Sequence, residues 1–243
     1  NRVIPVGFAA DLTWFKQRTG TNSLALFDTV RGNSNPNGFS SNSAAASFDW
    51  TGIFKGHTST GFTVGTDNAV NANGNTYVAW NWKANGSGST NNDGNQASVV
   101  SANQTAGFSI ATFTGTGSYA TYGHGLGVIP EVTLTKSRSA TGDWYFVTTV
   151  IDGSVDYLVL NTTAAKGNGS ATASTTSVFY SNYPNNQTVV AYNFASKPGF
   201  SKIGVYTGNG NASGPFIFTG FKPAWVMIKR TDSTGEWLLF DSA

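Results

Sequence analysis

Cysteine is absent from this 243-residue chain, so its reactive chemistry would rest on twelve carboxylates and two histidines. Glycan hydrolysis needs two carboxyl groups about 5 to 10 Å apart, one acting as acid and the other as base or nucleophile. The supply is Asp11, Asp28, Asp49, Asp67, Asp93, Glu131, Asp143, Asp152, Asp156, Asp232, Glu236 and Asp241, and no strand-like run carries an E-x-D-x-x-E pattern. Several occupy recurring turn positions. Asp143 and Glu236 each follow Thr-Gly, and Asp28 and Asp241 each follow Leu-Phe. A turn carboxylate bonds nearby backbone amides more often than it reacts, so no catalytic residue is assigned.

Nucleophilic catalysis fares no better, because no serine has glycine at both positions of a G-x-S-x-G elbow. His57 and His124 are the only candidate bases. His124 lies in Tyr122-Gly123-His124-Gly125-Leu126-Gly127, a glycine-spaced loop where it would either touch a sugar hydroxyl or bond local backbone. Two histidines without cysteine or an H-x-x-x-H pair do not make a zinc site from one chain. The stretch 67–75 offers hard oxygens for calcium but a single carboxylate, and reads as a turn between strands. Neither a metal nor a cofactor is expected.

Tryptophans are the remaining ligand candidates, because sugar rings stack on exposed aromatic faces. Trp14, Trp144, Trp225 and Trp237 sit in recurrent strand segments and read as core. Trp80 and Trp82 are two apart on one strand face, with aromatic counterparts at Tyr192 and Phe194, which suits an interior layer. Trp50 has no clear counterpart and is the candidate for exposed stacking. The glycan-binding candidates are therefore Trp50, His57, Tyr122 and His124.

Only 11% of residues are charged, under half of the roughly 25% usual in globular domains. Gly, Asn, Ser and Thr number 29, 24, 25 and 31, beside 33 aromatic residues. Disordered polar chains lack such aromatics, so the chain folds, and mostly as β. A net charge of +2 without a Lys/Arg cluster argues against nucleic acid and against an anionic membrane surface. No apolar run approaches the ~18 residues of a membrane span. Asp11 interrupts the one apolar stretch near the start that a signal peptide would need.

Three segments repeat: 6–18, 126–138 and 219–230, each ordered as Gly, a hydrophobe, an optional Pro, strand residues and Lys. Their neighbours recur in the same order. Thr141-Gly142-Asp143-Trp144 parallels Thr234-Gly235-Glu236-Trp237, residues 76–82 parallel 188–194, and 107–115 parallel 199–208. This frame places unit 1 at 1–84, lacking its opening strand, a Gly/Ser/Asn linker at 85–105, unit 2 at 106–198, and the first half of unit 3 at 199–243. Lys197-Pro198-Gly199 leaves no spacer, so units 2 and 3 are expected to pack together. Short β-branched and aromatic runs bounded by Gly, Asn or Pro predict β-sandwich or barrel units. Ser41 to Ser47 is the nearest helical candidate and fits a loop equally well.

The order Leu-Phe-Asp-x-Val-Arg-Gly at 26–32, Ser-Ser-Asn-Ser at 40–43, Gly-Phe-Thr-Val-Gly at 61–65 and Thr-Tyr-Val-Ala-Trp at 76–80 carries a family resemblance. So do Gly-x-Gly-Leu-Gly at 123–127 and the run from Gly214-Pro215-Phe216 to Trp237. Together they resemble a repeated domain of unknown function found in virion-associated tail, fibre or structural proteins of marine bacteriophages. The resemblance covers nearly the whole chain. It implies tandem lectin-like, jelly-roll-like β-sandwich units, made in the host cytoplasm and exposed on the particle. Other virion proteins, copies of the chain itself and host-surface glycan are the implied partners. Unit 2 departs from the pattern at Thr135 and at 180–183. The competing readings are a carbohydrate-binding module of a secreted bacterial enzyme and, behind it, a glycoside hydrolase.

Overall fold

The computed structural model describes residues 3–22, 24–33, 37–50, 52–169 and 172–242, and these are all-β apart from one helical turn. In chain order the strands begin β1 (Val3–Pro5), β2 (Leu12–Gln17), β3 (Ala25–Asp28), β4 (Asn37–Ser40), β5 (Phe48–Asp49), β6 (Phe54–Thr58) and β7 (Gly61–Val64). After the turn α1 (Asn68–Asn71) come β8 (Tyr77–Trp82), β9 (Ser89–Asn91), β10 (Ser98–Asn103), β11 (Phe108–Thr114) and β12 (Ala120–Gly123). The rest are β13 (Val132–Ser137), β14 (Tyr145–Thr148), β15 (Asp156–Val159), β16 (Gly167–Asn168), β17 (Val178–Ser181), β18 (Thr188–Phe194), β19 (Trp225–Lys229) and β20 (Trp237–Asp241).

Side chains alternate across a strand, and here both sides of the main strands are apolar. Leu12 and Trp14 of β2 face one way and Phe15 the other. Two large sheets result, ordered β5-β4-β3-β2-β8 and β16-β15-β14-β13-β18-β11-β10-β9. They share a central layer in which Leu12, Trp14, Leu26 and Phe39 meet Phe108, Ile110, Leu134, Val190 and Tyr192. The three-stranded sheet β1-β7-β6 covers the outer face of the first, closing Phe54 and Phe62 over Phe15 and Phe27. The pair β12-β17 covers the second, closing Tyr122 and Phe179 over Phe113 and Val189.

The three matched sequence segments become β2, β13 and β19, each the first strand of an antiparallel hairpin. Their registers coincide: Leu12 faces Asp28, Val132 faces Thr148 and Trp225 faces Asp241. On its other edge β2 sets Leu12 against Trp82 of β8, and β13 sets Val132 against Phe194 of β18. Ahead of the three strands Gly7, Gly127 and Gly220 have φ of 84°, 70° and 83°. That left-handed region is open mainly to glycine, which explains the recurring residue.

The expected linker 85–105 is corrected. It holds β9 and β10, with β10 paired to β11 from Val99↔Thr112 to Asn103↔Phe108. A ladder is built from backbone groups, so a strand needs few apolar residues; β10 sends Val100 and Ala102 to the outer cluster and buries Ser98 and Ser101. Gly94 there is a point of contact rather than a hinge, since a Cβ would lie 2.2 Å from Thr121 O. Residues 41–47 form a loop, and the 67–75 turn contains α1, capped by Asp67 Oδ1 on the Ala69 amide at 2.8 Å.

Among the described residues β19 and β20 pair only with each other. Trp225, Met227, Trp237 and Leu239 close onto the central layer while Val226, Leu238 and Phe240 stand exposed. Trp237 lies 5.3 Å from Phe146 and donates Nε1 to Val159 O at 3.0 Å, so residues of 199–243 do pack on those of 106–198. Trp225 also sits 6.5, 6.2 and 5.7 Å from Trp14, Trp80 and Trp82.

Trp144 is wholly buried, 5.1 Å from Phe39, with Nε1 donating to Ser40 O at 3.0 Å. Trp144→Ala should therefore lower stability by ~3–5 kcal/mol in urea titration. A loss under ~1 kcal/mol would contradict a central layer shared by the two large sheets.

Candidate functional site

Asp28 ends β3 and turns its carboxylate into the central layer. There Arg31 donates Nε to Oδ2 and its backbone amide to Oδ1 at 2.9 Å, and Tyr192 donates its hydroxyl to Oδ2 at 2.7 Å. The guanidinium also bonds Leu26 O and Asn37 O and lies 4.3 Å above the Phe39 ring. Burial works to raise the Asp28 pKa, but the Arg31 charge and the bonds from Tyr192 and Arg31 outweigh it and hold the carboxyl below its ordinary value. Burial pushes the Tyr192 phenol well above its usual range. No group of this triad gains or loses a proton near neutrality, and its bonds clamp the two sheets together.

Other charged groups are scaffold in the same sense, and at matching places. Asp11 accepts from the Ala84 amide at 2.7 Å as Glu131 accepts from the Ser196 amide. Thr13 donates to Asn81 at 2.8 Å as Thr133 donates to Asn193 at 3.0 Å. Lys16, Lys136 and Lys229 all donate to backbone carbonyls. Burial pulls Lys136 down to about 8, yet Ala44 O and Ser137 O hold its ammonium at 3.1 and 3.2 Å. Asp152 and Asp156 share one lysine, Lys166, at 2.8 and 2.7 Å. Its bond keeps Asp152 strongly acidic, the opposite of what a general acid needs. Among the described residues no three His, Asp or Glu side chains converge as metal ligands.

The four glycan candidates are not brought together, and three are corrected by burial. His57 lies in the outer layer of the first sheet. Since Thr13 Oγ1 gives its hydrogen to Asn81, His57 Nε2–H donates to Thr13 at 3.0 Å, and Nδ1 has no partner among the described residues. Burial pushes its pKa down to about 4. His124 is saturated, with Nε2 on Thr175 O and Nδ1 accepting from the Leu126 amide, each at 3.1 Å. Tyr122 is closed inside the layer under β12 and β17, its hydroxyl on Thr114 O. The glycine-spaced loop looked open in sequence because nothing there announces β17. Trp50 alone stays half exposed, 5.9 Å from Phe27 and 4.5 Å from Phe48. Phe48, exposed beside it, was missed, although its spacing of two from Trp50 was the available signal.

Two open hollows flank β8. One, about 200 Å³, is lined by Val6, Phe15, Phe62, Val70 and Ala79 among others. The second, about 310 Å³, lies between Phe8, Trp82, Phe108 and Phe200. Neither holds a carboxylate or histidine, so both suit apolar side chains.

A family model described as a domain of unknown function (DUF7483) matches residues 1–243. The chain belongs to the DUF7483 family. No curated protein and no solved structure matches it. The family description brings no activity with it, so the site of this DUF7483 chain is read from geometry alone.

Arg31→Met should destabilise the DUF7483 chain by ~3–5 kcal/mol, because it strands the Asp28 charge inside the protein. Tyr192→Phe removes the hydroxyl that donates to Asp28 and accepts from Arg31 but leaves the ion pair, and should cost ~1–2 kcal/mol; the reverse order in urea unfolding would refute the clamp. His57, neutral when folded, contributes stability that is complete above its unfolded pKa of 6.5 and lost as pH falls toward about 4. His57→Gln should therefore flatten the decline between pH 7 and 4.5 by ~2–3 kcal/mol, with an unchanged slope counting against it.

Proposed function

We propose that the DUF7483 chain is a non-catalytic structural protein of a virion appendage, of tail, fibre or capsid-associated type. Tandem β-sandwich units build it, and it contributes to host-surface glycan attachment. One observation carries the non-catalytic reading: Asp11 and Glu131, carboxylates at matching places in two of the repeated segments, are both spent on internal bonds to backbone amides. Side chains so held position backbone and have nothing left for a substrate.

Identical hairpin registers and the left-handed glycine before each support a copied unit. Placement on a virion rests on the sequence resemblance, and the low charge and absence of cysteine suit assembly in a reducing cytoplasm. Phe48 and Trp50, two aromatic rings at the β5 edge, are the remaining glycan surface. A carbohydrate-binding module would align its exposed aromatics on one sheet. Here Phe48, Tyr119, Tyr145, Phe200 and Phe216 are scattered over different strands and loops, which favours the strut.

Gold-labelled antibody against the purified chain should mark intact particles at one fixed station in electron micrographs. Label found only on unassembled protein would remove the virion reading. On a glycan array, any signal should fall when Trp50 and Phe48 are both changed to alanine, and a signal that survives the change would move the glycan surface elsewhere.

A further inference from the structure

An Asn-Gly pair carries its own chemistry. Glycine has no Cβ to hinder its backbone nitrogen, which can reach the side-chain carbonyl carbon of the asparagine before it. The chain has five such pairs, at Asn37, Asn73, Asn85, Asn168 and Asn209. Closing the ring needs a free glycine amide and room for the peptide to turn, so the fold decides which pairs react. Gly38 lies inside β4 opposite Phe48, where an added Cβ would stand 2.6 Å from the Phe27 ring and 3.0 Å from Trp50. The Gly86 amide donates to Asp11 Oδ1 at 3.1 Å, while Gly86 O accepts from Thr29. The Gly169 amide donates to Val155 O at 2.8 Å, at the end of the β15-β16 ladder. Each of these pairs must break a bond or open a sheet before it can react.

Asn73 and Gly74 are held by nothing of the kind. They are the central residues of a turn between α1 and β8, closed by the Asn75 amide on Ala72 O at 3.3 Å. Gly74 has φ of 78° and takes the place that a type II turn reserves for glycine. Asn73 through Thr76 are exposed, and a Cβ built on Gly74 would meet nothing within 4 Å. Among the described residues neither the Asn73 carboxamide nor the Gly74 amide has a hydrogen-bond partner. We propose that Asn73 is a site of self-modification, at which the folded chain converts asparagine to aspartate and isoaspartate. The Gly74 nitrogen gives its proton to solvent base and attacks Asn73 Cγ; the bond from Cγ to the side-chain nitrogen breaks, and ammonia leaves. Water then opens the cyclic imide at either carbonyl. Opening at one leaves aspartate, and opening at the other carries the main chain through the side chain and leaves isoaspartate. Either product lowers the net charge of +2 by one unit. The Tyr77 hydroxyl, bonded to Asn68 O and to the Ala72 amide at 2.8 Å each, anchors the turn from its other side. Val70 stays in the outer core, so the change accumulates in folded protein.

Asn209 is the internal yardstick, because it lies in the coil between β18 and β19 and the Gly210 amide is unbonded among the described residues. Peptide mass mapping of the folded chain, sampled over days in warm, mildly alkaline buffer, reads all five pairs at once. Asn73 should convert several-fold faster than Asn37, Asn85 and Asn168, and at a rate close to that of Asn209. In denaturing urea the rates should converge. An Asn73→Gln change made in an Asn209→Gln background should remove most of the acidic form seen on ion exchange, since glutamine would have to close a larger ring. Equal conversion of Asn73 and Asn85 in the folded chain would overturn the inference. So would an order that persists in urea, which would put its cause in neighbouring residues rather than in the fold.

Discussion

A sheet that is apolar on both faces survives in water only if both are covered, and this requirement organises the chain. Leu12 and Trp14 need one neighbour and Phe15 needs another. The two large sheets satisfy each other's inner faces, and two small sheets close the outer ones. Burial on this scale contributes roughly 25 cal/mol per Å² of apolar area. It is the main stabilising term open to a chain with no cysteine and little charge. It also merges 1–84 and 106–198 into one packed body, because the central layer belongs to both. The third hairpin meets the requirement on one face only.

Polar groups enter these layers where bonds replace the water they lose. An unpartnered buried donor or acceptor costs about 1–3 kcal/mol, so most are met by a nearby group; among the described residues His57 Nδ1, Trp80 Nε1, Arg138 Nε, Asp156 Oδ2 and Trp225 Nε1 have no hydrogen-bond partner. Thr13 with Asn81 and Thr133 with Asn193 are the same pair made twice. Asp28 departs from duplication, because its counterpart in the second hairpin is Thr148, which donates to Glu131 O. Thr148 is as buried as Asp28, but its hydroxyl is met by that carbonyl and by the Val150 amide. Against the facing sheet, where Tyr192 and Phe39 exclude water, a charge and its counter-charge are needed.

Much of this was readable from the residues. Strand positions followed from β-branched and aromatic runs, and the aromatic matches of Trp80 and Trp82 announced a layer, whereas Asp28 and Asp241, expected at turns, are the last residues of strands β3 and β20. The 85–105 segment was not readable, because glycine and serine look alike whether they loosen a chain or let two backbones touch, and Gly94 does the second. His57, Tyr122 and His124 misled for a related reason. Their exposure depends on β7 and β17, strands remote in sequence, and local glycine spacing carries no record of what folds over it. Trp50 and Phe48 were half readable, since their neighbours in space are also their neighbours in the chain.

The ends of the sheets differ in how they are blunted. Exposed edges normally carry charge, proline or very short strands, which keep other chains from pairing with them. β5 and β16 are two residues long, and β9 is three with Asp93 just beyond. Lys166 stands beside β16. β8 runs six residues, Tyr-Val-Ala-Trp-Asn-Trp, with neither charge nor proline before Lys83. Its edge has none of the protections found at the others, and hollows lie to both sides of it. β19 and β20 are no better guarded: each runs five residues, they pair only with one another among the described residues, and Lys229 and Asp241 at their ends are their only charges, so short or charged edges are a property of particular strands rather than a rule of the whole chain.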